Sequence, residues 1–208
     1  MSTTRPKKAL YGLLAGNLIS IGGVAYLRSP SPIIGTFLFS IGLMAICLFN
    51  LNLFTGKVSN IVKVPSEEVL PSIMDLLLMW FENFFGCWIT VVLLRATRYA
   101  HQLEAAAAEL VAPKIIDGPM GLFILGLLCN ILIYTATRGY RNDNRLAGSI
   151  AVVLSVMVFI TCGFEHSIAD AFYMIMARSS FYERASVLFP VALGNSVGGI
   201  LPALILDR

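Results

Sequence analysis

Charge is what this sequence has least of. Only 13% of its 208 residues are Asp, Glu, Lys or Arg, about half the share usual in a soluble domain. That shortfall excludes an ordinary cytosolic enzyme, which needs charge to cover its surface. The net charge of +3 is too small and too scattered for a nucleic-acid partner. Clustered metal ligands are missing too. The four cysteines, Cys47, Cys87, Cys129 and Cys162, fall inside apolar stretches with no CxxC spacing and no grouped histidines. They read as small packing residues, and neither a metal nor a cofactor is expected. No small-x-small cleavage site follows the first apolar run, which at about 19 residues exceeds the roughly 7–15 of a signal core. It is read as a retained first span.

What the chain has is apolar length. Hydrophobic residues make up 57% and the mean hydropathy is +0.80. A bilayer core takes about 20 apolar residues as helix, and six runs approach that length: Ala9 to Leu27, Ile33 to Gly56, about Leu70 to Leu94, Gly118 to Thr137, a fifth from near Leu146, and Ala185 to Leu206. The expectation is an all-α, multi-pass membrane protein, a single channel-type domain over 1–208 with six spans and lipid as its surroundings. Six spans put both termini on one side. With that side cytoplasmic, nine of the 15 Lys and Arg residues lie inside, the distribution that positive charge favours. Asp75 and Glu82 in the third run are seven apart, hence on one helix face, expected to point into the bundle. The segment around Ala105 to Ala108 and Lys114 reads as a short helix outside the core.

The two halves echo each other. The third run carries Asn83-Phe84-Phe85-Gly86 and the sixth Asn195-Ser196-Val197-Gly198; the first has Gly16-Asn17 and the fourth Cys129-Asn130. Runs two and five each pass a glycine, Gly42 or Gly163, and then break into polar residues. Three spans followed by three like them have opposite orientation, which is a 3+3 inverted repeat whose broken helices 2 and 5 meet near the midplane.

Polar residues at those breaks are the candidates for function. Glu165 and His166 end an apolar run where a charged group costs roughly 2.5–3.5 kcal/mol, so they are expected to face a cavity or partners. Leu53-Phe54-Thr55-Gly56 is the counterpart in the first half. Unwound backbone at membrane depth is tolerated only where protein buries it or it lines a cavity.

These motifs together resemble the formate/nitrite transporter family, which also includes hydrosulfide channels. They are Phe39-Ser40-Ile41-Gly42-Leu43, Leu53 to Gly56, Asn83 to Gly86, Cys129-Asn130, Gly163 to Ala169 and Gly194 to Gly199, in order along nearly the whole chain. The resemblance implies an aquaporin-like subunit of six helices, a homopentamer with one pore per protomer, and no enzymatic activity. It implies a multi-pass protein of the cell (inner) membrane that conducts a small monovalent anion. Formate ranks first, with nitrite and hydrosulfide as alternatives. It assigns Thr55 and His166 to the pore centre. Phe39, Leu43 and Phe159 fall at an outer constriction, and Leu43, Leu53, Phe54 and Ile133 at an inner one. Lys114 falls in the outer vestibule, and Asn130 and Glu165 fall on further motif positions.

The chemistry is consistent with those assignments. An apolar slit imposes a large desolvation cost on an anion and little on the neutral acid of the same size, so the anion would cross with a proton or as the acid. Lys114 could raise the local anion concentration, and His166 could donate a hydrogen bond or a proton. Three residues depart from the family pattern: Asn52 where an acid is usual, Asp170 where Asn is usual, and Lys57 where the residue is usually uncharged. An aquaporin-like conduit for neutral solutes would show paired Asn-Pro-Ala boxes, which this chain lacks. A membrane enzyme using Glu165, His166 and Asp170 would need a second polar cluster for a head group, and none is evident.

Overall fold

The computed structural model describes residues 5–141 and 143–207; of the 1–208 domain, residues 1–4, 142 and 208 lie outside that description. Among the described residues the chain is helical throughout. Its α-helices are α1 (Arg5–Arg28), α2 (Pro32–Leu48), α3 (Phe54–Lys57), α4 (Val69–Arg95), α5 (Ala100–Ile116), α6 (Pro119–Tyr140), α7 (Arg145–Thr161), α8 (Ser167–Met176) and α9 (Phe181–Leu206), with 3-10 turns at Val58–Lys63 and Ser66–Glu68. Their starts are written in the sequence. Pro32 and Pro119 occupy the first turn of α2 and α6, where a missing N–H costs nothing. The Asn144 side chain caps α7, and Ser180 with Glu183 forms a capping box on α9.

Four helices, α1, α4 with the turn before it, α6 and α9, are long and apolar enough to cross a membrane. Large hydrophobics cover their outer faces: Leu77, Phe81, Phe85, Trp88 and Val92 on α4 and Phe189, Leu193 and Leu201 on α9 are all exposed. Water does not tolerate such patches, and lipid or a neighbouring subunit does. This is a membrane protein. The ends of the bundle can be told apart by contacts. At one, the Asn52 amide donates to the Lys8 carbonyl (3.1 Å) and Asp207 pairs with Lys63 (3.3 Å) and Arg138 (2.8 Å); those two cations hold the Asp207 carboxyl below the ordinary carboxylate range. We refer to this as the α3 end. At the other, Arg28 hydrogen-bonds Gln102 of α5. Both ends of the described chain therefore sit at the α3 end.

Inside, the long helices meet almost backbone to backbone. A Cβ on Gly86 would run into the Leu13 carbonyl of α1, and one on Gly198 into the Leu127 carbonyl of α6. Small residues permit that approach, which is how helices associate where lipid gives no hydrophobic drive.

Two expectations are corrected. The segment around Lys114 is no peripheral stub: α5 runs 17 residues, and Leu103, Ala107 and Val111 on its i, i+4, i+8 stripe are buried in the core. Asp75 and Glu82 do not enter the core either. Asp75 is exposed and Glu82 half-buried, and both line a groove at the α3 end with Arg5, Lys8 and Lys57. Glu82 packs against Gly12 of α1, and both acids have cationic neighbours in that groove.

Candidate functional site

Two chain breaks interrupt the helices, and they are built alike. After α2 the chain leaves the helix through Asn50, which takes a left-handed φ of 49°, and the Leu51 N–H bonds back to the Ile46 carbonyl (2.9 Å). After α7 it leaves through Gly163 at φ 66°, and the Phe164 N–H bonds back to the Phe159 carbonyl (2.9 Å). Both are the 6→1 closure of a helix end that needs a left-handed residue, which Gly and Asn supply at least cost. The chain restarts as α3 and α8.

A buried asparagine holds each restart. Asn83 Oδ1 accepts from the Phe54 N–H (2.9 Å), and its amide donates to the carbonyls of Asn52 (2.7 Å) and Gly12 (2.9 Å). Asn195 Oδ1 accepts from the Ser167 N–H (2.9 Å), and its amide donates to the carbonyls of Glu165 (2.9 Å) and Gly126 (2.7 Å). Each asparagine thus satisfies one orphan helix N–H and one carbonyl of the unwound segment, and ties them to a carbonyl of a neighbouring helix. Asn130, also buried, ties the two halves together by donating to the Thr55 carbonyl (3.1 Å) and the Asn195 carbonyl (2.7 Å).

Thr55 and His166 meet where the breaks face each other. His166 Nε2 lies 2.8 Å from Thr55 Oγ1. The other ring nitrogen settles the direction of that bond. Nδ1 accepts from the Ala169 N–H (3.2 Å) as the cap of α8, so in a neutral imidazole the proton resides on Nε2. Nε2 is the donor and the threonine hydroxyl accepts. The His166 ring stacks on Phe159 (5.9 Å between centroids), which meets Phe39 edge-on at 6.1 Å.

A cavity approaches this layer from each end. From the α5 end, one of about 300 Å³ reaches Phe39, Phe159 and His166 and is also lined by Lys114, Asp117, Glu165 and Asp170. From the α3 end, one of about 570 Å³ reaches Leu53 and Gly56 and is lined by Lys57, Arg141 and Arg145, with no acidic residue among those described. Lys57 is held there by Asn50 Oδ1 at 2.8 Å. Leu43, Leu53, Phe54 and Ile133 are buried between the two cavities.

The structure thus brings Thr55, His166 and Asn130 together beside Phe159 and Phe39, and buries Leu43, Leu53, Phe54 and Ile133 in the core. Lys114 lines the cavity on the α5 side, and it does not stand there alone. It is buried against Glu165 and Asp170, 3.1 Å from Asp170 Oδ1 and in direct contact with Glu165 Oε2. Sequence reading missed what Asn83 and Asn195 do. Their shared N-x-x-G spacing was the available signal, but it says nothing about the breaks that each holds. It also missed the cationic cavity, whose residues come from three separate segments.

Comparison with known proteins accounts for this arrangement. The family model for the formate/nitrite transporters matches residues 1–206. The formate channel FocA of Escherichia coli K12 is 24% identical across 95% of this chain and 84% of its own, and the formate channel BtFdhC of Bacillus thuringiensis is 24% identical across 96% and 85%. An uncharacterized Bacillus subtilis transporter, YrhG, is 26% identical across 93% and 81%. Among solved structures, a pentameric formate channel with formate bound superposes with a TM-score of 0.81 at 24% identity, over 97% of this chain and 95% of that one. An FNT family ion channel gives 0.74 at 21%, over 95% and 86%. With breaks, asparagine clamps and facing cavities in a fold shared from end to end, this chain belongs to the formate/nitrite transporter family, a family of membrane channels and transporters for anions and not of enzymes.

Proposed function

We propose that residues 1–208 form one channel domain that conducts a small monovalent anion, formate first, between the two cavities, with Thr55 and His166 at the centre of the path. The carrying observation is the His166 Nε2–H. It is a donor fixed by the α8 cap, at the layer that separates two cavities entering from opposite ends. Phe39, Leu43 and Phe159 form the constriction on the α5 side of that layer, and Leu43, Leu53, Phe54 and Ile133 the one on the α3 side. Through such a slit an anion crosses with a proton, as the neutral acid, because the apolar walls return none of its hydration energy. His166 serves as a hydrogen-bond donor. Releasing its Nε2 proton would leave an imidazolate unless Nδ1 were protonated instead, and that would break the α8 cap.

The matching closures at Asn50 and Gly163, and the matching clamps at Asn83 and Asn195, support six membrane spans arranged as a 3+3 inverted repeat, aquaporin-like in plan. The exposed apolar faces of α4 and α9, together with the pentameric formate channel of similar fold, support a homopentamer. The excess of Lys and Arg at the α3 end supports an inner-membrane protein with both termini cytoplasmic. Purified protein in liposomes tests the reading: inward gradients of formate, nitrite and hydrosulfide are applied with a pH dye inside. Formate flux above empty liposomes, accompanied by proton uptake, is expected to exceed the other two. Flux of none of the three refutes an anion channel, and a larger nitrite or hydrosulfide flux replaces formate as the substrate.

A further inference from the structure

On the α5 side of His166, one ammonium faces two carboxylates. Lys114, Glu165 and Asp170 have side chains only 12%, 6% and 3% exposed. If both acids were ionised, the cluster would bury one uncompensated negative charge, which costs several kcal/mol even after relaxation. The hydrogen bonding is short by the same measure. Asp170 Oδ2 is buried with no donor, and Asp170 and Glu165 are brought side by side by holding the same Lys114 ammonium. Two ionised carboxylates are acceptors only. One added proton answers both deficits, since it brings the cluster to neutrality and turns the orphan oxygen into half of an O–H···O bond. Among the described residues lining this cavity, Lys114 is the one cationic side chain, and the N-terminus of α8 adds only a partial positive charge. The other ionisable groups packed around the pair are Tyr26 of α1, Cys129 of α6, Tyr173 of α8 and the capped, neutral His166, while Asp117 at the mouth is another acid.

We propose that Glu165 and Asp170 share one proton and together form the pore's proton-binding site, which protonates an entering anion before it reaches the apolar layer. Asp170 lies four residues past His166 at the start of α8, hence one turn away on the same face, and both carboxyls line the cavity by which the anion arrives. The step balances. The shared proton passes to the anion, leaving two carboxylates about Lys114 and a neutral acid in front of Thr55 and His166. The acid crosses, water in the opposite cavity takes its proton, and the pair is recharged from bulk water through its own cavity. The surplus negative charge left behind favours that recharging. This inference rests on the proposed anion-channel reading, and it gives Asp170 a task that an asparagine could not perform.

Infrared spectra of the reconstituted full chain without substrate, taken at about pH 7 in water and in heavy water, report the proton directly. A buried protonated-carboxyl band that shifts on deuteration is expected in the parent. It should be absent in Asp170→Asn and in Glu165→Gln, and retained in Asp170→Glu. In liposomes, Asp170→Asn is expected to carry formate about tenfold more slowly than the parent near pH 7.5, with the gap narrowing near pH 5 as bulk water supplies about 300-fold more protons. Asp170→Glu should stay close to the parent. A parent that transports formate but shows no such band, or an Asp170→Asn profile parallel to the parent's across that pH range, overturns the proposal and leaves the channel reading intact. A band with no flux of formate, nitrite or hydrosulfide overturns the channel reading, and the delivery step with it.

Discussion

Replacing His166 by asparagine separates the two tasks its ring performs. An asparagine side chain is, in effect, the imidazole cut off after its first ring atoms. Its Oδ1 falls where Nδ1 accepts from the Ala169 N–H, and Asn is among the best residues at a helix N-cap. Nothing remains at the position of Nε2, 2.8 Å from Thr55 Oγ1. His166→Asn therefore keeps the start of α8 and draws the donor back from Thr55, because its Nδ2 falls one bond short of Nε2. A hydrogen bond to a neutral acid contributes about 0.5–1.5 kcal/mol, so formate flux is expected to fall about 2- to 12-fold at 1.4 kcal/mol per decade. His166→Phe loses the donor and the cap together; its flux should fall at least as far, and its stability by about 1 kcal/mol more. Liposome flux supplies the first comparison, and thermal melting of the purified oligomers the second. Were His166→Asn to carry formate within about twofold of the parent, the donor on Nε2 would not be what the passing anion meets, and the reading of the site would fall.

Other substitutions test the frame. Asn83→Leu or Asn195→Leu strands one N–H and one carbonyl at a break, at about 1–3 kcal/mol for each group left unsatisfied; both melting temperatures should drop markedly, and an unchanged melt in either would mean the breaks are held otherwise. Gly198→Leu should yield no folded oligomer on size exclusion, because its Cβ meets the α6 backbone, whereas Gly121→Ala, with open space around it, should behave as the parent. Lys114→Ala leaves buried carboxylates without their cation, a loss of about 3–5 kcal/mol; assembly and flux should fall equally at low and high ionic strength, and a loss confined to low salt would instead mark Lys114 as a free surface attractant.

Much of this was legible in the chain because the bilayer narrows the options. Long uncharged runs can only be spans, and polar residues at the end of such a run, such as Glu165 and His166, must find partners or a cavity. Break positions could be read from Gly163 and from Asn50 to Thr55 for the same reason. What each polar side chain bonds could not be read, since the partners are remote in sequence. Asn195 works on Ser167 and Glu165, and Lys114 on Glu165 and Asp170, residues brought together only by the fold. The carboxylate partners of Lys114 could not be read because they lie more than 50 positions away. The helix α5 was misread because alanine and scattered charge dilute its apolar stripe, although Leu103, Ala107 and Val111 sit at the spacing of a buried face.

Lys57, Arg141 and Arg145 gather around one mouth of the path with no acid among its described lining residues, while the opposite mouth holds Lys114 among Glu165, Asp170 and Asp117. A passive conductor cannot choose a direction at equilibrium, yet it can fill faster from one side. Cations around a low-dielectric funnel raise the local concentration of anions and their rate of arrival, and they do so over about one Debye length, roughly 8 Å in physiological salt. Under dilute conditions the basic mouth therefore half-saturates at a lower anion concentration than the acidic one, and added salt erases the difference. If the basic mouth faces the cytoplasm, as proposed, outward flux in dilute salt should half-saturate at a lower anion concentration than inward flux.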